Sequence, residues 1–458
     1  MKLRNWCILI FLSSVIVRLY FNFSQELIPG INGGYYPLQV RSLLTNGHLG
    51  FSDTPLLFYL NAFVVKVISF FGTTINDNLI LLIIKLTDSI LFPLLVIPFY
   101  KILSLKKIDV SVSFSIAILL FVTLSFQPLI LISDLQKNSL AILFALFCMT
   151  YVYFFLEEKI KIHLFYSALF LILTGLTHFG TFIFCVIYVS AILVFYYKSR
   201  AIVPLLVLIS LTLGLVAIID RTRFLRLISL GDELFEHSAL FSGMIGPPEI
   251  LNTLIAIVLG VVVIKLVKKH KNILSKDERV ITISSTICLL AFSFPLLEIE
   301  YYKRLSLFSF ILEAVIIIMI SKTFNKRQLR SVLIALICFS LISIAATIEK
   351  RKTPTISENA YEDLKRFGQI INPDKDNSII IARHGLEWWT AWALNIKVAQ
   401  EKAIDEKLLN DYQNIFVLNQ ISDFSADHER TPFHEPLYPQ NSLLVYSSDY
   451  FKAYKWTK

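Results

Sequence analysis

Residues 55–72 read PLLFYLNAFVVKVISFFG, and whether this stretch crosses a membrane decides how the rest of the chain is arranged. It is apolar and about long enough to span a bilayer. Against a span stand Lys66 at its centre, Pro55 at its start, and the aromatics Phe58, Tyr59, Phe70 and Phe71. Those features suit a helix lying in the membrane interface.

Working outward, apolar runs recur at 5–22, 79–99, 110–131, 139–156, 164–177, 180–197, 201–219, 249–267, 280–297, 305–321 and 331–348. Basic residues collect in the connections after every second run: Lys101/Lys106/Lys107, Lys159/Lys161, Lys198/Arg200, Lys265–Arg279 and Lys322/Lys326/Arg327/Arg330. Such loops face the cytoplasm. If 55–72 crossed, Lys2 and Arg4 would fall on the opposite side from them. With 55–72 in the outer interface, one face holds 19 Lys/Arg and the outer connections hold 8. The expected architecture is therefore mainly α. It is a polytopic bundle of about 11 spans, N-terminus cytoplasmic, with residues 349–458 on the outer side of the plasma membrane. A 12-span arrangement keeps that tail outside too.

Composition agrees. Of 458 residues, 55% are hydrophobic and 17% charged, with 37 Phe and a mean hydropathy of +0.66. A soluble domain carries about 25% charged residues, so a soluble enzyme, a disordered chain and a disulfide scaffold are excluded. The formal charge of +9 does not point to nucleic acid. Residues 350–458 hold 14 Lys/Arg against 15 Asp/Glu, so the whole excess lies in the membrane part and is a topology signal. Cys7, Cys148, Cys185, Cys288 and Cys338 all fall in apolar runs and read as small packing residues. The N-terminal run lacks a small-x-small cleavage site and continues into Arg18 and Tyr20, so it reads as an uncleaved anchor.

The tail begins with a polar linker, EKRKTPTIS, and then alternates: helical patterns at 357–370, 386–395 and 403–410, strand patterns at 378–383, 414–421 and 442–448. This order predicts a small α/β domain. Its Trp388, Trp389 and Trp392 read best as that domain's own core, with glycan binding or membrane docking as the other uses.

Chemistry-bearing residues gather in the outer segments. In the first, 23–78, Gly33–Gly34 give a turn beside Tyr35 and Tyr36, a short amphipathic helix carries Arg41, and His48, Asp53 and Thr54 precede residue 55. Asp53 fits a general base or a metal ligand; before Pro55 it also fits a helix cap. SDLQKNSL (133–140) places Asp134 and Lys137 where an unpaired charge is costly, with N-capping as the plainer role. His178, in GLTHFGT, sits at a tight turn and reads as a hydrogen-bonded structural residue or a site group. The long connection 220–248 carries Glu233, Glu236 and His237, a carboxylate/His site or a solvated helix. In EYYKRLSLF (300–308), Tyr302, Lys303 and Arg304 suit a phosphate or ordinary headgroup anchoring. No nucleotide loop, dinucleotide fingerprint or zinc-binding run is present.

GGYYPLQVRSLLTNGHLGFSDTPLLFYL, SDLQKNSL, GLTHFGT and EYYKRLSLF, together with this layout over residues 1–348, resemble the GT-C polytopic glycosyltransferases. The likeness is to the protein O-mannosyltransferase and lipid A aminoarabinose transferase group. The resemblance implies transfer of a sugar from a polyprenyl-phosphate donor to a glycan, lipid or protein acceptor at the outer face. An acidic residue of the first loop would assist, and basic residues would hold the donor phosphate. The family's acid, just before the aromatic pair, is replaced here by Asn32–Gly33–Gly34. The resemblance then assigns the role to Asp53, with Glu233 or Glu236 behind it, and the lipid phosphate to Arg304. The substrates would be held by Tyr35, Tyr36, Arg41, His48, Asp134, Lys137, His178, Tyr302 and Lys303. No soluble cofactor is required, and a divalent metal is left open because no ligand set stands out. Two other readings compete: a transporter or flippase of lipid-linked glycan or a small solute, suggested by Arg18, Lys85, Asp88 and Glu313 within spans, and a non-catalytic assembly protein.

Overall fold

The computed structural model describes residues 2–105, 111–201, 238–242, 245–270, 272–349, 353–400, 410–422 and 442–456, with scattered positions between 203 and 218. Glu233 and Glu236 lie outside the described residues, as do the expected span 201–219 for the most part and nearly all of the helix 403–410.

The apolar runs form helices. They are α1 (Leu3–Phe23), α4 (Asp77–Leu91), α5 (Val96–Leu103), α6 (Val112–Leu124), α7 (Phe126–Ile130), α8 (Gln136–Glu158), α9 (Ile162–Thr177), α10 (Phe179–Tyr197), α11 (Pro247–Lys269), α12 (Lys276–Phe292), α13 (Ile299–Ser306), α14 (Ser309–Ile320) and α15 (Lys326–Glu349), with α2 (Tyr35–Asn46) and α3 (Leu56–Phe70) in the first connection. Among the described residues seven helical stretches are long and apolar enough to span, or eight if the bent α13–α14 pair (45°) is one crossing. α4 and α5 join through a tight turn containing Pro93, whose missing N–H interrupts the ladder, and count as one crossing. α9 and α12 are shorter, at 16 and 17 residues, and the count among the described residues is roughly consistent with the expected bundle.

α3 resolves the deciding segment. One face, with Leu57, Phe58, Asn61, Ala62 and Val65, is buried, while Tyr59, Phe63 and Lys66 are exposed. The chain enters α3 beside Lys137 of α8, which pairs with Asp53. It leaves toward Asp77, which lies 3.6 Å from Arg41 of α2. Both ends therefore return to the same end of the bundle.

Three of the four charges inside the spans, Arg18, Lys85 and Asp88, are tied off, but not as local spacing suggests; Glu313 of α14 is buried with its Oε1 unpartnered among the described residues. Lys85 and Asp88, three apart on α4, do not pair with each other. Asp88 meets Arg18 of α1 at 3.0 Å, both side chains being essentially inaccessible, and also accepts from Asn22 (2.8 Å) and the Ser133 amide (3.1 Å). Lys85 donates to the carbonyls of Gln25 and Glu26 (2.7 and 2.6 Å) where α1 ends. A buried charge gains more from a partner on another helix, where both are desolvated together, than from a strained neighbour on its own. The network locks α1, α4 and the 131–135 turn as a structural knot, which gives Arg18, Lys85 and Asp88 a structural role.

The opposite end holds the basic connections, where Lys322 pairs with Glu278 at 2.6 Å and Lys276 lies over the Tyr196 ring at 4.2 Å. Glu278 and Ser275 form a reciprocal cap that starts α12.

The tail is α16 (Glu358–Ile371), β1 (Ser378–Ala382), α17 (Leu386–Leu394), β2 (Lys397–Gln400), β3 (Asn414–Gln420), β4 (Ser442–Ser447) and β5 (Phe451–Trp456). Its five-stranded sheet has the order β2-β1-β3-β5-β4. β1 is parallel to both β2 and β3, and β5 is antiparallel to β3 and β4. β1 is buried along its whole length, as a central parallel strand must be. Strands β2 and β5 are additions to the elements expected from periodicity; each is short and mixes charged with apolar residues.

Candidate active site

The site forms where the first connection meets the turns before α8 and α10. Tyr35 and Tyr36 begin α2, Asp53 and Thr54 lead into α3, and Lys137 lies in the first turn of α8. Asp53 is the hub. Its Oδ2 accepts hydrogen bonds from the Tyr35 hydroxyl and the Lys137 ammonium. Its Oδ1 accepts from the Thr54 amide (2.7 Å) and hydroxyl (3.3 Å). The Asp53 side chain is 3% exposed and that of Lys137 14%. The Lys137 ammonium also faces the Tyr35 and Phe58 rings at 5.5 and 5.8 Å. Burial makes this pair strong only while it stays intact. Asp53 therefore does more than start a helix, and the N-cap position of α3 is Pro55.

Gln39, one turn along α2 from Tyr35, donates to the Tyr35 hydroxyl (2.9 Å) and exchanges two bonds with the Phe51 backbone. It fixes the phenol toward Asp53. Sequence reasoning missed it, because a buried Gln on an amphipathic helix carries no signal until its partners are known. Thr54 extends the hub to α9 through the Thr177 carbonyl at 2.7 Å.

Asn32, standing where the family's acid was expected, is paired with an acid from elsewhere. Asp134 Oδ1 accepts from the Asn32 amide (2.8 Å) and side chain (3.1 Å), and the Asp134 carbonyl accepts from Tyr36 (3.0 Å). Burial first, and the Asp134 charge second, hold the Tyr36 phenol well above its ordinary range, so it acts as a donor. The glycines here are set by close approach. A Cβ on Gly33 would lie 2.1 Å from the Ile28 carbonyl oxygen, and one on Gly30 (φ +94°) 2.5 Å from Asp134 Cβ.

The structure gathers Tyr35, Tyr36, Asp53, Asp134 and Lys137 and leaves other expected residues apart. Arg41 turns to the tail: it donates to the carbonyls of Trp392 (2.8 Å) and Ala391 (2.9 Å) and lies over the Trp392 ring at 4.2 Å. His48 is exposed and bonded to the neighbouring Leu49 carbonyl. His178 caps α10 through the Thr181 amide (3.2 Å), one residue from the carbonyl held by Thr54. Tyr302 is buried, bonded to the Glu249 carbonyl and Thr253 at 2.7 Å each, so it packs α13 on α11. Arg304 is largely exposed and paired with Glu300 at 2.9 Å on the same helix; Lys303 is half-buried beside it.

Trp389 and Trp392 are fully buried, but at the seam with the first connection: a Cβ on Gly33 would lie 3.1 Å from Trp389 Cζ2, and Arg41 covers the Trp392 ring. Trp388 also packs edge-on against Tyr35 (4.9 Å) and Phe51 (5.0 Å). The tail thus closes directly over the hub. The Thr353 carbonyl reinforces this by accepting from the Gly30 amide at 3.0 Å.

A divalent ion does not fit the hub as it stands. Both Asp53 oxygens already accept donors and Lys137 supplies the positive charge. Among the described residues no group of three or more His, Cys, Asp or Glu is placed to hold a metal.

No protein-family model and no curated protein sequence matches the chain. Solved structures do. An archaeal oligosaccharyltransferase from Archaeoglobus fulgidus, in complex with zinc and sulfate, aligns with a TM-score of 0.55 at 12% identity, over 89% of this chain and 67% of that one. ArnT from Cupriavidus metallidurans bound to undecaprenyl phosphate aligns with a TM-score of 0.55 at 9% identity, over 98% of each chain. The same enzyme in its apo state gives 0.54 at 10% identity, over 99% and 98%. The fold is therefore shared with these two proteins, and with ArnT it is shared over membrane bundle and tail together.

Proposed function

We propose that this protein is a membrane glycosyltransferase that moves a sugar from a polyprenyl-phosphate donor to an acceptor hydroxyl at the extracytoplasmic face. The observation carrying this reading is the Asp53–Lys137–Tyr35 hub, a buried carboxylate and ammonium together in the first connection of a GT-C fold. The acceptor oxygen forms a bond to the anomeric carbon as the sugar's bond to the phosphate oxygen breaks, and the phosphate leaves with that electron pair. Asp53 takes the acceptor proton. Lys137 is its counter-charge at rest; as phosphate accumulates negative charge the ammonium is drawn to it, which frees an Asp53 oxygen to act as base. Lys303 and Arg304, on the accessible part of α13 and outside the hub, are assigned to the donor's phosphate as it docks at the membrane surface, before it reaches Lys137, and Arg can bind two of its oxygens.

No step is routed through a metal, since the hub's carboxylate is already satisfied. The positive-inside count supports the outward placement, with the basic loops at the end opposite the tail. The discriminating experiment supplies purified protein in liposomes with a polyprenyl-phosphate hexose labelled in the sugar, plus a membrane lipid and glycan extract. Appearance of free polyprenyl phosphate with the label on an acceptor is the expected result. Movement of intact donor between leaflets without cleavage would mean a flippase, and neither event would favour the assembly protein.

A further inference from the structure

The first connection departs from the expected family pattern at Asn32–Gly33–Gly34, and the structure shows what occupies the space. A Cβ on Gly34 would lie 2.8 Å from the Trp389 amide nitrogen and 2.9 Å from the Trp388 carbonyl carbon. The backbone of α17 therefore presses against the residue before Tyr35, an approach that only glycine permits. Further along the same helix, Arg41 holds the Ala391 and Trp392 carbonyls. α17 is thus pinned near both ends, and Trp388 is carried to one place.

That place is the Tyr35 ring. Two of the rings around it, Tyr36 (5.8 Å) and Phe58 (5.7 Å), come from the first connection, and the Lys137 ammonium lies 5.5 Å from its centre. Trp388 comes closer than either ring, at 4.9 Å with an interplanar angle of 62°, and it arrives from the tail. Edge-on pairs have a preferred geometry, so they orient a ring as well as bury it. Trp388 also meets Phe51 edge-on at 5.0 Å. The Phe51 backbone exchanges two bonds with Gln39, which in turn donates to the Tyr35 hydroxyl. One indole thus touches both groups that aim the phenol at Asp53. Its own N–H makes no hydrogen bond among the described residues, so the ring alone carries the contact.

We propose that Trp388 is a positioning residue for the transfer reaction, supplied by the tail: it holds Tyr35 so that the phenol keeps Asp53 oriented. The proposal rests on the transferase reading. When Lys137 moves toward the phosphate, Asp53 Oδ2 loses that donor and keeps the Tyr35 hydroxyl. Orientation matters most at that moment, because a small misplacement of a catalytic group costs up to about a hundredfold in rate. The tail is then part of the active machinery, and the paired glycines are what let it come so close.

The test is a double-mutant cycle in liposomes, reading single-turnover cleavage of the polyprenyl-phosphate hexose with donor binding in parallel. Trp388→Ala should slow cleavage about 10–10²-fold and leave donor binding within about threefold of wild type. Trp388→Phe should restore most of the rate, since no hydrogen bond is lost. In a Tyr35→Phe background, Trp388→Ala should slow cleavage by no more than about twofold further, because the hydroxyl it positions is gone. Wild-type cleavage in Trp388→Ala, or equal losses in both backgrounds, overturns the proposal. Trp388→Leu, which keeps apolar volume without a ring, replaces the alanine variant if that variant unfolds. Fluorine NMR of a fluorotyrosine at position 35 reads the positioning without turnover. A single narrow line is expected in wild type and Trp388→Phe, and a broadened or divided line in Trp388→Ala. An unaltered line overturns the proposal. A line that responds as expected, in a wild type that cleaves no donor, instead overturns the transferase reading and leaves the hold of Trp388 on Tyr35 standing.

Discussion

Lys137 reaches from the first turn of α8 to the carboxylate of Asp53, 84 residues earlier, and the two form an ion pair that is almost sealed from solvent. Three segments meet through that pair: the first connection, the turn before α8 and, through Tyr35 against Trp388, the tail.

The pair sets a stability expectation. Lys137→Met leaves Asp53 buried with its counter-charge gone and should cost about 3 kcal/mol. The double variant Asp53→Asn/Lys137→Met should lose less than Lys137→Met alone, because no uncompensated charge remains. Thermal unfolding in detergent measures both. If the double variant loses the full sum of the two single losses, the residues are not coupled.

Arg41 gives a second test. Its guanidinium grips two carbonyls near the C-terminal end of α17 and stacks on Trp392, a geometry that an ammonium cannot reproduce. Arg41→Lys should loosen the tail at a cost of about 1–3 kcal/mol. Hydrogen exchange should rise over 386–394 while the buried bundle helices stay protected. Unchanged exchange there would mean that Arg41 does not hold the tail.

How much could be read in advance depends on how local each signal was. Lys66 and the alternation of basic loops set the expectation for 55–72, since both are properties of nearby residues, and the helix found there, Leu56–Phe70, is shorter than the stretches that qualify as spans. Asp53 and Lys137 were visible as candidates, but their pairing was not, because a separation of 84 residues carries no register between them. The same reason explains Arg18: spacing favoured Lys85 as the partner of Asp88, and helix packing supplied a better one. Arg41 had the chemistry of a phosphate ligand and is used instead as a clamp on the tail.

A pH dependence follows from His384. Its hydrogen bond to Glu387 raises the imidazole above its ordinary value; burial opposes this, the Glu387 and Asp134 charges add to it, and Arg383 lowers it. A raised folded-state value means that protonation favours the folded tail. That contribution is complete below the unfolded value of about 6.5 and is lost as pH rises through the higher folded value. The apparent Tm should therefore fall as pH rises above about 6.5, and His384→Gln should flatten that slope. An unchanged slope in the variant would remove His384 as its source.

Topology can be checked at Ile75, exposed just after α3. In a background with the five native cysteines replaced, Ile75→Cys should be labelled by an impermeant thiol reagent from the side that labels Asp449→Cys in the tail. Labelling from the opposite side would make 55–72 a span and separate Asp53 from the tail.

The central claim is that Asp53 takes a proton during sugar transfer. The most direct measurement is single-turnover release of polyprenyl phosphate from a labelled polyprenyl-phosphate hexose by wild-type protein and Asp53→Asn, with donor binding measured in parallel. Asp53→Asn should bind donor within about threefold of wild type and release the carrier about 10²–10⁴-fold more slowly. Wild-type release rates in a variant that has lost this carboxylate would contradict the account.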